Sequence, residues 1–84
     1  MQYRLFVDLE AIQFLASSKP SLRSKLVAHL SKIEAFPESS SDYFENDSKG
    51  RQIDIAICSG SAIHYWIDFA DRPVKVLRIS QADS

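Results

Sequence analysis

Hydrophobic and polar positions alternate over the last third of the chain, between Ile53 and Ile79. Three runs rich in β-branched and aromatic residues follow one another, and Gly60 and Pro73 lie in the segments between them. This composition, with turn-forming residues between the runs, is typical of strands joined by tight turns. The pattern therefore predicts an antiparallel meander whose strands have the sequences IDIAIC, AIHYWIDF and VKVLRI.

The length of the first turn decides which residues share a face, because side chains alternate along a strand and cross-strand partners lie on the same side. A two-residue turn would pair Ile55 with His64 and would mix apolar and polar residues on both faces. A three-residue turn with a bulge at Gly60 pairs Cys58 with Ala62 and gathers the isoleucines on one face, so we expect this turn. The second, mixed face then carries Gln52, Asp54, Ala56, Cys58, Ala62, His64, Trp66 and Asp68. On the last strand the same rule predicts Leu77 and Ile79 in the core, and Val76, Arg78 and Ser80 on the mixed face.

Helical periodicity dominates the first half of the chain. Apolar residues recur every three or four positions between Pro20 and Pro37, which predicts one helix with the stripe Leu22, Leu26, Leu30, Ile33 and Phe36. A shorter helix is predicted over residues 9 to about 16, capped by Asp8, with Leu9, Ile12 and Leu15 facing inward. Residues 3–7 read as a short strand.

The segment 38–50 is rich in serine and acidic residues and is interpreted as a solvated connection. Tyr43 and Phe44 within it leave open a second interpretation, a docking site for a basic segment of a partner.

Together the elements predict a single α+β domain over residues 1–84 with the order β-α-α-β-β-β. A helix hairpin packs on one face of an antiparallel sheet, and the other face is open to water or to a partner. The predicted core comprises Leu26, Leu30, Ile33, Ile55, Ile57, Ile63 and Ile67.

Composition narrows the classes of function. The formal net charge of −1 disfavours a protein that binds phosphate backbones through a basic surface. The absence of a membrane-length apolar run and of a signal sequence predicts no membrane association. A single cysteine, Cys58, fits the reducing cytoplasm. We expect no metal and no cofactor, because the few histidines and cysteines lack ligand spacing and no glycine-rich phosphate loop is present.

The mixed face carries the candidate chemistry. His64 and Arg78, together with an acid, are the residue types that act as acid, base and charge stabiliser at a phosphodiester, so these two are the catalytic candidates. An exposed tryptophan on a sheet more often marks an interface, which we prefer. The predicted binding residues are Trp66, His64, Asp54, Asp68, Arg78 and Arg51. His29 is interpreted as a packed, hydrogen-bonded histidine and Cys58 as a small, partly buried residue.

The chain resembles the RelE/ParE superfamily, the toxins of type II toxin–antitoxin systems. The likeness rests on the opening strand YRLFV, the helix ending HLSKIEAFP, and the segment GRQIDIAICSGSAIHYWIDFADRPVKVLRIS. It implies the two-layer fold described above, with an antitoxin as a partner and the ribosome or DNA gyrase as a target.

Departures from the family pattern shape the functional expectation. The resemblance implies that messenger-RNA-cleaving members have arginines where this chain has Ala62 and Ala82, and lysines near Gln52 and Asp54. Without such cations a nuclease site loses much of its stabilisation of phosphate charge. The first hypothesis is therefore a toxin-family protein acting mainly through protein–protein contacts. The alternatives are a ribosome-dependent ribonuclease with a site rebuilt around His64 and Arg78, and a non-toxic interaction module or homodimer.

Overall fold

A computed structural model describes residues 3–82 of the chain. Two helices and five strands make up this part: β1 (Arg4–Val7), α1 (Leu9–Ser17), α2 (Pro20–Ala35), β2 (Tyr43–Asn46), β3 (Gln52–Cys58), β4 (Ser61–Ile67) and β5 (Pro73–Gln81). None of the described helices is both long enough and apolar enough to span a membrane.

The strands form one sheet in the order β1-β5-β4-β3-β2. β1 pairs with β5 in parallel, whereas the other neighbours are antiparallel. The predicted α+β fold with a helix hairpin on one sheet face is confirmed, but the sheet is mixed and has one more strand than expected. The extra strand, β2, lies in the segment 38–50 that was interpreted as a solvated connection.

The turn between β3 and β4 is shorter than the sequence pattern suggested. Cys58 pairs with Ser61, so only Ser59 and Gly60 lie between the strands. Both have positive φ, 51° and 79°, as a type I′ hairpin requires. The three-residue turn was therefore the wrong prediction.

The shorter turn reverses the two faces of β3. Ile55 pairs with His64, and Asp54 pairs with Tyr65. Since Tyr65 belongs to the core between sheet and helices, Asp54 lies on the helix side and Ile55 on the open side. Ile55 is still fully buried, whereas Ile57 is 38% exposed and does not belong to the core as predicted.

A β-bulge in β5 changes the alternation a second time. Arg78 pairs with His64, but Val76 pairs with Tyr65, so Leu77 is left as the extra residue. Val76 is consequently fully buried in the core and Leu77 is only half-buried, the reverse of the prediction. Ile79 is in the core as expected.

The helices cover one side of the sheet. On α2 the predicted stripe is correct at Leu26, Leu30 and Ile33, all buried, although Phe36 at the end is 64% exposed. On α1 the inward residue is Ala11, at 0% exposure, while Leu9 and Ile12 are 68% and 47% exposed. The prediction for α1 is therefore correct only at Leu15, which packs against the core together with Ala11 and Phe14.

Candidate functional site

The sheet surface that faces away from the helices is called the open face, and it carries most of the predicted site. Strand register places on it the side chains of Ile53, Ile55, Ile57, Ala62, His64, Trp66, Lys75, Arg78 and Ser80. Arg51, just before β3, reaches the same surface through its contact with Trp66. Five of these residues have charged, aromatic or imidazole side chains: Arg51, His64, Trp66, Lys75 and Arg78.

Trp66 is the centre of the open face. The Arg51 guanidinium carbon and the Lys75 ammonium nitrogen each lie 5.0 Å from its ring centroid. Both distances are within the range of a cation–π interaction. Trp66 is half-buried, so part of its ring is exposed to solvent.

His64 lies between β3 and β5 in the middle of the same face. Its Nε2 is 3.5 Å from the Ser80 hydroxyl oxygen, and Arg78 is its partner in register. Burial lowers the pKa of His64, the nearby Arg78 charge lowers it further, and Glu45 opposes the shift. Burial and Arg78 thus both favour the neutral imidazole, the form that can accept a proton. The two catalytic candidates, His64 and Arg78, are brought together.

A cleft of ≈ 410 Å³ opens beside His64. Two guanidinium groups line it, those of Arg51 and Arg78, together with four carboxylates: Asp8, Glu10, Glu45 and Asp47. Arg51 Nε also donates a hydrogen bond of 2.8 Å to Asp47, which lowers the pKa of that carboxyl. The cleft thus has a net negative lining.

The sequence interpretation missed these acids. Glu45 and Asp47 were assigned to a solvated connection, but strand β2 brings them beside the open face. Asp8 occupies the N-cap position of α1 without a side-chain capping hydrogen bond, contrary to the predicted cap. The sequence signal for β2 was the alternation of Tyr43 and Glu45, which is too short to identify a strand.

Asp54 does not belong to the open face, which corrects its predicted place beside Trp66. Its residue is only 5% exposed and lies on the helix side, opposite Phe44 of β2. Gln52 Nε2 donates a hydrogen bond of 2.9 Å to its Oδ1. Burial raises the pKa of Asp54, and the Gln52 hydrogen bond opposes that shift only in part.

Replacing Asp54 with asparagine is expected to raise the free energy of unfolding at pH 7, on the order of 1 kcal/mol. Asparagine keeps the acceptor for Gln52 and removes a charge that burial disfavours. Because folding raises the pKa of Asp54, the ionised carboxylate destabilises the folded wild type. This destabilisation is absent below the ordinary pKa of 3.8 and complete above the pKa of the folded state. The stability difference should therefore grow as the pH rises through that window.

Urea unfolding at a series of pH values measures this difference. Glu34→Gln removes an exposed carboxylate from α2 and should give no comparable gain at any pH. If Asp54→Asn is less stable than the wild type at pH 7, the surroundings stabilise the ionised carboxylate, and the prediction is wrong.

Asp68 serves the turn after β4. Its Oδ1 accepts hydrogen bonds from the backbone nitrogens of Ala70 and Asp71, at 3.1 and 3.4 Å. These bonds stabilise the reversal of the chain that leads into β5. Of the six predicted binding residues, Trp66, His64, Arg78 and Arg51 are together on the open face, Asp68 holds a turn, and Asp54 is on the other side.

Two further candidates, Cys58 and His29, lie outside the open face. Cys58 is half-buried, and its thiol lies 3.7 Å from the Lys25 carbonyl oxygen on α2. His29 is packed, as predicted, but its buried Nε2 has no hydrogen-bond partner among residues 3–82, so the predicted bond is not formed. Burial and, secondarily, Lys32 lower the pKa of His29. Within the described residues no group of three or more acids, histidines and cysteines is placed to hold a metal ion.

The sequence matches no family model and no curated protein. Solved structures nevertheless match along almost the whole chain. The archaeal RelE–RelB complex from Pyrococcus horikoshii OT3 contains a chain with a TM-score of 0.81 and 14% sequence identity, over 98% of this chain and 97% of that one. The toxin–antitoxin complex RelBE2 from Mycobacterium tuberculosis gives 0.79 and 15%, over 96% and 99%.

A variant of the E. coli toxin RelE in the free state gives a TM-score of 0.69 and 19% identity, over 99% of this chain and 86% of that one. At these identities the likeness concerns the fold. The chain has a RelE-like fold, and the resemblance seen in the sequence is confirmed at that level.

Proposed function

We propose that this chain is the toxin-fold member of a type II toxin–antitoxin pair, and that it acts in the cytoplasm mainly through protein–protein contacts. One observation carries the first part. The matching structures include two toxin–antitoxin complexes. In each, the match covers 96% or more of this chain and of the chain that it matches. A fold alone does not fix a function, so the mode of action is argued from the residues.

The electrostatics of the open face support contact with protein in preference to cleavage of RNA. Four carboxylates and two guanidinium groups line the cleft beside His64, and one of those guanidinium groups is paired with Asp47. A phosphodiester carries negative charge that increases in the transition state, which such a lining disfavours. Trp66, flanked by two cations, is instead the type of side chain that dominates protein interfaces.

The alternative, a ribonuclease with a rebuilt site, has one observation in its favour. A neutral imidazole, a guanidinium and a hydroxyl lie side by side at His64, Arg78 and Ser80. Ala62, where the resemblance implies an arginine, is buried and pairs with Ser80, so a methyl group occupies the neighbouring position on this face.

Purified protein added to a translating ribosome system is expected to leave messenger RNA intact, within the background of the assay. The physical reason is the net negative cleft combined with alanine at positions 62 and 82. Mapping of RNA 5′ ends around ribosome-bound codons measures cleavage directly, and a catalytically active ribosome-dependent nuclease provides the positive control.

Codon-linked cleavage that disappears in both His64→Ala and Arg78→Ala would overturn this prediction and place the protein among the enzymes. Ala62→Arg is a useful companion variant. A gain of cleavage in it would identify the missing guanidinium as the reason for inactivity.

The proposed target is either the ribosome or DNA gyrase. The alternative is that the chain is a non-toxic interaction module or a homodimer. Sedimentation velocity distinguishes the homodimer, since a single copy of 9.5 kDa is expected if the partner is a different protein. Induced expression with and without the adjacent reading frames separates a toxic from a non-toxic member.

A further inference from the structure

We propose that a cavity on the helix side of the sheet, next to Asp54, binds the lysine or arginine side chain of an otherwise apolar segment of a partner protein. This site, called the Asp54 cavity, has a volume of ≈ 570 Å³ and lies between β2 and the turn after β4. The inference rests on the proposed function in one respect: it assumes that the bound side chain belongs to a partner protein.

The carboxylate of Asp54 has one oxygen bonded to Gln52 and a second oxygen that opens into the cavity. Its residue is 95% buried, and within the described chain only Gln52 donates to it. An ionised carboxylate accepts about four hydrogen bonds. Its register neighbour Tyr65 does not help, because the Tyr65 hydroxyl donates to the Pro37 carbonyl oxygen at 2.7 Å. A cationic donor would supply both the missing bonds and the opposite charge.

All the charged groups that line the Asp54 cavity are acidic. Glu38 and Asp42 accompany Asp54, and no lysine or arginine of the described chain lines it. Glu38 accepts a bond from the Tyr3 hydroxyl and Asp42 one from the Ile57 backbone nitrogen, so both carboxylates are held in place. The three are not arranged to share a metal ion. Carboxylates spread around a cavity fit an elongated organic cation.

Part of the cavity wall is apolar. Phe44, Phe69 and Ile67 line it, and the two phenyl rings are 57% and 64% exposed. The faces of aromatic rings attract cations. Covering the exposed apolar surface of the rings with apolar groups is also favourable, because it removes that surface from water. A small free amine would neutralise the carboxylate without covering these rings, whereas a peptide segment with apolar neighbours does both.

The Asp54 cavity is continuous with the surface around Trp66. A smaller cavity of ≈ 230 Å³ at the ends of β3 and β4 is lined by Trp66 as well as by Gln52, Asp54 and Phe69. One extended partner segment can therefore contact Trp66 on the open face and pass around the sheet end to Asp54.

The test is a nuclear magnetic resonance titration of the full chain with two peptides, acetyl-Leu-Arg-Leu-amide and its citrulline analogue. Citrulline has nearly the shape of arginine but no charge. We expect the arginine peptide to shift the backbone signals of Phe44, Asp54 and Phe69 with a Kd in the millimolar range, and to lower the pKa of the Asp54 carboxyl. The citrulline peptide should bind at least tenfold more weakly, as should the arginine peptide to Asp54→Asn.

Glu34→Gln is the control, since it removes an exposed acid on α2 that lines no part of the cavity, and it should leave the affinity unchanged. Equal affinities for the two peptides, or no shifts at these three residues, would overturn the site. Self-association that disappears in Asp54→Asn would assign the cavity to a second copy and overturn the partner claim. An antitoxin-like partner that binds Asp54→Asn and the wild type equally would overturn the site but leave the proposed function intact. Charge-dependent peptide binding in the absence of any such partner would support the site and contradict the proposed function.

Discussion

Replacing Leu30 with alanine is expected to lower the free energy of unfolding by about 2–5 kcal/mol. Leu30 lies on the inward stripe of α2 and is 6% exposed, packed in the core between the helices and the sheet. The loss combines the transfer of the removed methyl groups with the cavity that they leave. A domain of this size is stable by roughly 5–15 kcal/mol, so the change should be evident in any unfolding experiment.

Urea unfolding of the wild type, Leu30→Ala and Val27→Ala measures the effect. Val27 lies on the same helix but is 48% exposed, and its replacement should cost less than about 0.5 kcal/mol. A loss below about 1 kcal/mol for Leu30→Ala would show that α2 does not pack on the sheet as described.

Replacing Trp66 with alanine is expected to weaken association with the partner protein by at least tenfold, on the scale of an interface hot spot. Trp66 offers a partly exposed ring, held in place by Arg51 and Lys75, at the centre of the face that the helices leave uncovered. Removing it should lower the free energy of unfolding by only about 1–2 kcal/mol, the sum of two exposed cation–π contacts.

Titration calorimetry gives the affinity and thermal unfolding gives the stability of the same variant. Phe36→Ala is the matched control, because Phe36 is an aromatic residue at the end of α2, 64% exposed and away from the open face. A large fall in melting temperature with unchanged affinity would instead make Trp66 part of the core.

Periodicity in the sequence was sufficient to predict α2 and strand β4. The spacing of Leu26, Leu30 and Ile33 identified the buried side of the helix, and the alternation in β4 placed His64 and Trp66 on the open face correctly. These elements are long, and their apolar residues repeat with one period, so no other arrangement buries them as well.

Strand β3 shows where that reasoning failed. We assumed that its isoleucines must face the helices, yet Ala56 and Cys58 do so, with the Cys58 thiol close to the α2 backbone at Lys25. Small residues allow the helix to approach the sheet, and Ile55 is buried on the open side between its register partners Tyr43 and His64. A turn shorter by one residue reverses every side chain of a strand, and this moved Asp54 out of the predicted site.

The bulge in β5 and the edge strand β2 could not be predicted from local sequence patterns, for a different reason. Nothing in the sequence around Leu77 distinguishes a regular strand from one with an extra residue. All four residues of β2 are exposed, so no alternation of burial marks the strand. Glu45 in β2 and Asp47 directly after it therefore looked like loop residues, although both contribute to the negative lining of the cleft beside His64.

The most direct measurement of the central claim is calorimetric titration of this chain with the proteins encoded on either side of its gene. The account predicts that one of them binds with a Kd below about 1 μM, and that Trp66→Ala raises this Kd at least tenfold while Phe36→Ala leaves it unchanged. Failure of both neighbouring proteins to bind, or binding that is indifferent to Trp66, would contradict it.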